Sequence, residues 1–128
     1  MQKDVLLLSR RTRNLQGLES MLKRMEYSVT ITSSAEQAVA RVFEANPCLI
    51  ILECNHQCWS PGLVQDLRSN TSACRAMIFA LTESYAPSWV NQEENPGFDG
   101  FLVKPISDEV MASLIQSAWV RQVCLAVN

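Results

Sequence analysis

Glycine and proline are scarce, four and five residues in 128, and the chain holds no repeat, low-complexity tract or linker-like stretch. That composition argues against disorder and for one domain over residues 1–128. No apolar run approaches the ~20 residues that span a bilayer, so no membrane contact is expected. The first apolar run, in "MQKDVLLLSRR", is too short for a secretory signal, and charges follow it at once. A cytoplasmic location is the expectation. The five cysteines (Cys48, Cys54, Cys58, Cys74 and Cys124) are odd in number, which fits free thiols in a reducing compartment better than a disulfide framework. A net charge of -2 gives no general pull toward nucleic acid. The one basic cluster, Arg10, Arg11 and Arg13, is not interleaved with aromatics, so nucleic-acid binding is not expected.

What is present is an alternation. Val5 to Leu8 is a short continuous apolar run, suited to a strand buried on both faces. Leu15, Leu18, Leu22 and Met25 recur at helical steps. "YSVTIT" alternates and is rich in β-branched residues. "SSAEQAVARVF" opens a helix in which Ser33 with Glu36, or Ser34 with Gln37, can form a capping box. Its seam is Ala38, Val39, Val42 and Phe43, and Asn46-Pro47 breaks it. Leu49 to Leu52 is a third strand, ending at Glu53. A polar turn through Ser60, Pro61 and Gly62 leads to a short helix carrying Leu63, Val64 and Leu67. Ala76 to Leu81 and Gly100 to Val103 read as strands four and five. Between them, "PSWVNQEENPG" holds one or two helical turns at most. Ser107 caps a last helix, with Asp108 and Glu109 in its first turn and a buried face of Val110, Met111, Leu114, Ile115 and Ala118.

Strands alternating with helices imply an α/β fold with a parallel sheet, because each return to the same edge needs a crossover. In open sheets of this kind the functional crevice lies at the carboxyl ends of the strands. The residues placed there are Ser9, Arg10 and Arg11 after strand 1, Glu53 after strand 3, Thr82 after strand 4 and Lys104 after strand 5. No glycine-rich phosphate loop follows strand 1, which speaks against the usual nucleotide-binding folds. The cluster "CNHQC" (Cys54, His56, Cys58) offers at most three ligands in five residues and has no second pair at zinc spacing, so no metal is expected there.

Taken in order, these pieces resemble the receiver domain of bacterial two-component response regulators, over nearly the whole chain. "GFDGFLVKPIS" looks like the family's Lys-Pro segment, "FALTES" like its fourth strand with a switch threonine, Thr82, and "NPCLIILE" like the strand that ends in the phosphoacceptor. "MEYSV" resembles the close of its first helix. The step from Thr82 to Lys104 also matches the family's spacing. The resemblance implies a doubly wound, five-stranded parallel sheet of the flavodoxin-like receiver fold. It also implies a cis bond at Lys104-Pro105.

The departures lie where the chemistry would be. The acceptor aspartate is Glu53, and the two acidic residues that help hold Mg²⁺ are Ser9 and Arg10. Gln57 stands where a proline is frequent, and the aromatic switch position is Phe101, without a hydroxyl. The resemblance therefore implies a degenerate receiver: no catalytic residue, no metal, no cofactor, and a phosphorylation-independent role in binding a protein partner. That partner is a signalling kinase, an output domain or a second copy, and Trp89 and Trp119 are candidates for its surface. Glu53 is expected to pair with Lys104, with Arg10 as a further candidate. It either mimics the active state or stabilises one fixed state. The rival readings are unusual residual phosphotransfer and a small-ligand or redox sensor.

Overall fold

The computed structural model describes residues 4–10, 15–45, 47–53, 61–70, 76–82, 99–103 and 106–127. Its elements run β1 (Asp4–Leu8), α1 (Gln16–Arg24), β2 (Ser28–Thr32), α2 (Ala35–Ala45), β3 (Leu49–Glu53), α3 (Pro61–Asn70), β4 (Met77–Thr82), β5 (Gly100–Val103) and α4 (Asp108–Val127). All four strand pairings are parallel, in the order β2-β1-β3-β4-β5. The order reverses direction between β1 and β3, and that switch point fixes where a crevice opens. The expected segment between strands 4 and 5 lies outside the described residues.

The apolar runs are continuous because both faces of the central strands are covered. Leu6, Leu8, Ile50, Leu52, Ile78 and Ala80 point to one face, where Ala38 and Val42 of α2 and Leu63, Val64 and Leu67 of α3 meet them. Val5, Leu7, Leu49, Ile51, Leu81 and Leu102 point to the other, against Leu18 and Leu22 of α1 and Met111, Leu114, Ile115 and Ala118 of α4. The edge strand β5 is only four residues long, and its start is fastened. Asp99 N–H donates to the Ile78 carbonyl (2.7 Å), and Asp99 Oδ2 accepts from Ile78 N–H (2.8 Å). The Arg68 guanidinium pairs with that carboxylate (2.8 Å) and donates to the Ala76 carbonyl (2.8 Å), tying the end of α3 to the same corner. Gly100 sits under the Phe79 ring, where a Cβ would lie 2.9 Å from Cε2.

Local chemistry decided the helix ends. On α2 the first half of the Ser34–Gln37 box forms, with Gln37 N–H donating to Ser34 Oγ (3.2 Å), while the Gln37 side chain accepts from Ser33 N–H (3.5 Å), one residue before the cap. Ser107 Oγ accepts from Val110 N–H (3.2 Å) and caps α4. Three expectations need correction. Pro61 and Gly62 are not in a turn but open α3, because proline is tolerated where the helix has no N–H partner to lose. Strand four runs one residue later than expected, so Thr82 is its last residue and not the one after it. Val110 is not on the buried face of α4: it is 48% exposed, while Met111, one position on, is fully buried. A step of one residue turns a helix by about 100°, enough to carry a side chain off the core stripe.

α1 ends in a Schellman motif. Tyr27 N–H reaches back to the Leu22 carbonyl (3.1 Å) and Glu26 N–H to the Lys23 carbonyl (3.0 Å). The motif needs a left-handed residue, and Glu26 supplies it at φ 67°. An L-residue there costs roughly 1–2 kcal/mol that glycine does not. Glu26→Gly is therefore expected to stabilise the domain by about 1 kcal/mol, less the entropy glycine adds to the unfolded chain, and to raise Tm by a few degrees in a thermal melt.

Candidate functional site

The register that pairs Leu8 with Leu52 brings the next residues, Ser9 and Glu53, side by side at the carboxyl ends of β1 and β3. Both are buried: Ser9 completely, Glu53 to 7% exposure. Ser9 Oγ donates to Glu53 Oε1 in a buried hydrogen bond. Ser9 N–H donates to the Thr32 carbonyl (3.1 Å), so the serine also prolongs the β1–β2 ladder. Thr82 is buried at the end of β4, and its hydroxyl donates to the Leu102 carbonyl on β5 (3.3 Å). Phe101 is half-buried and packs against the α2–α3 side of the core. Arg10 is exposed.

The structure thus brings Ser9 and Glu53 together directly and places Thr82 one strand beyond Glu53, on β4, along the same edge. Lys104 and Pro105 lie outside the described residues, and so does the expected cis bond. The same holds for Arg11, Arg13, Cys54, His56, Gln57, Cys58, Trp59 and Trp89. Trp119 belongs to α4, with its side chain outside the described set. Sequence reasoning named Lys104, which lies outside the described residues, and Arg10 as candidate partners of Glu53, and did not anticipate that the Ser9 hydroxyl donates to it. The signal was available only through register: two strands ending level put their next residues in contact.

A buried carboxylate requires donors, and this one takes a neutral hydroxyl as one of them. Mg²⁺ requires several hard oxygen ligands in near-octahedral geometry. At this edge the described residues supply one carboxylate, already accepting from Ser9, and an arginine where a second acid is wanted. That donor set does not fit a resident Mg²⁺. Among the described residues no group of three or more His, Cys, Asp or Glu gathers in a metal-binding arrangement, and no helix is long and apolar enough to cross a membrane. Cys48 is a free, buried thiol. Burial pushes its pKa up to about 11, and its Sγ contacts the Asp4 carbonyl (3.4 Å), so it is a poor nucleophile near neutral pH.

A parallel sheet in the order β2-β1-β3-β4-β5 is doubly wound, with its polar residues gathered at the β1/β3 switch point. No protein-family model matches the chain, and no curated protein does. Solved structures do. The signal receiver domain of a protein described as a Luxo repressor from Vibrio parahaemolyticus superposes with a TM-score of 0.79 at 17% identity, over 99% of this chain and 97% of that one. A two-component response regulator from Clostridium difficile gives 0.74 at 22% identity, over 94% and 98%. The receiver domain of a sensor histidine kinase from Pseudomonas aeruginosa, which holds a magnesium ion in its active-site cleft, gives 0.70 at 23%, over 91% and 97%. The fold of this chain is the receiver fold.

Proposed function

We propose that residues 1–128 form a receiver-like domain that does not carry out phosphoryl transfer and acts as a cytoplasmic protein-interaction module, without cofactor or enzymatic activity. The observation that carries this reading is the Ser9–Glu53 hydrogen bond. Phosphoryl transfer to a carboxylate depends on positioning and on neutralising charge, much of it by Mg²⁺. Here the β1 end carries a hydroxyl and a guanidinium in place of two acids. A guanidinium beside the site opposes a divalent ion, and because Arg10 is exposed, solvent screens part of that opposition. The expected result of incubating the domain with acetyl phosphate and Mg²⁺ is an unchanged intact mass. A one-phosphoryl adduct that disappears when Glu53 is replaced would overturn the reading and favour residual phosphotransfer.

The partner is a protein: a signalling kinase, an output domain or a second copy. With the crevice charge fixed, the surface that meets it is fixed too, and the segment before β5, β5 itself and α4 are where we place it. Trp89 and Trp119 fall in this region of the sequence. Truncating a true anchor tryptophan costs about 2 kcal/mol or more, roughly thirtyfold in affinity. Trp89→Ala or Trp119→Ala is expected to weaken partner binding, measured by calorimetry on variants whose circular dichroism is unchanged. If neither does, and neutralising Arg11 and Arg13 abolishes binding, the surface lies at the start of α1 instead.

A further inference from the structure

We infer that Ser9 is a positioning residue, whose hydroxyl holds the Glu53 carboxylate in one orientation and rivets the carboxyl ends of β1 and β3 together. The inference deepens the proposed function and rests on it: the hydrogen bond gives the site a reason to hold one arrangement.

Three observations carry it. Ser9 is completely buried and Glu53 nearly so, and a buried carboxylate is tolerated only when donors are aimed at it. Ser9 Oγ is such a donor, at a sequence separation of 44, so the bond links two strands and not two neighbours in a loop. The serine backbone is itself fixed, because its N–H donates to the Thr32 carbonyl of β2. The hydroxyl therefore starts from a position set by the β1–β2 ladder, and Glu53 starts from the last position of β3, which pairs with Leu81 of β4. One hydrogen bond between two anchored residues leaves the glutamate side chain little rotamer freedom. The result is a carboxylate held at a constant point where β1 and β3 end, placed by a donor from the neighbouring strand.

Nuclear magnetic resonance on the full chain tests this without Mg²⁺ or a phosphodonor, so its failure is separable from the failure of the phosphotransfer reading. In the wild type, the Ser9 hydroxyl proton is expected to exchange slowly enough to be seen, and the side-chain couplings of Glu53 to report one rotamer. In Ser9→Ala those couplings should average, a change that mere loss of packing would not produce. A double-mutant cycle gives the second readout. Ser9→Ala should lower the folding equilibrium constant about tenfold when Glu53 is present and less than about threefold in a Glu53→Met background, where no charge remains to be satisfied. Averaged Glu53 couplings in the wild type overturn the inference even if Ser9→Ala fails to fold. Equal effects of Ser9→Ala in both backgrounds overturn it as well.

Discussion

The variant Ser9→Asp/Arg10→Asp/Glu53→Asp should be stabilised by millimolar Mg²⁺, whereas the wild type should ignore the ion. In the wild type the buried Glu53 carboxylate accepts from the Ser9 hydroxyl, and the next residue, Arg10, is a cation exposed at the surface. Replacing both with aspartate removes one donor and one positive charge and sets three carboxylates at the ends of β1 and β3. Two like charges ~4 Å apart at an effective dielectric of ~20 repel by about 4 kcal/mol, so the metal-free variant should be distinctly less stable. The same three groups are the hard oxygen ligands that Mg²⁺ prefers. At an ion concentration about a hundredfold above Kd, binding to the folded state adds about 2.7 kcal/mol. Thermal melts with and without Mg²⁺ read this as a rise of several degrees in the variant and none in the wild type. An equal Mg²⁺ response in the two proteins would show that the wild-type crevice already holds the ion. If the variant also gains a phosphoryl adduct from acetyl phosphate, the rest of the machinery has persisted and only the acids were lost.

Ile51→Ala should cost about 2–5 kcal/mol, a large share of the 5–15 kcal/mol by which a domain is ordinarily stable. Ile51 is fully buried at the middle of β3, paired in register with Leu7 on one side and Phe79 on the other. Its side chain faces the core that α1 and α4 cover. The neighbours that would have to move to fill the cavity are strands fixed by ladders on both sides, so little of the space can close. Urea titration should move the midpoint down by about 1 M or more with an unchanged slope. Ile51→Val, which removes one methylene, should cost about 0.5–1.5 kcal/mol. Val110→Ala is the contrasting case: the side chain is exposed, and its removal should change stability by no more than about 0.5 kcal/mol. A large loss at Val110 would mean that the start of α4 is covered by something in solution.

The alternation of strand and helix, the parallel sheet and most of the core were legible in the sequence, because each is written in local periodicity. An apolar run of four or five residues bounded by turn residues has few places to go except a strand covered on both faces. Cap residues such as Ser34 and Ser107 act within one turn of where they stand, so they too could be read directly. The crevice position followed from the same reading, since parallel strands put all their carboxyl ends at one edge. The tertiary structure alone decided what those ends do. That β1 lies between β2 and β3, that Ser9 donates to Glu53, and that Arg68 and Asp99 clamp the start of β5 all depend on register between segments far apart in the chain. The exposure of Val110 is of the same kind. Helical spacing ranks it with Met111, and only the angle at which α4 meets the sheet turns one toward the core and the other to solvent. Local pattern states which residues want burial; the shape of the packed layers has room for only some of them.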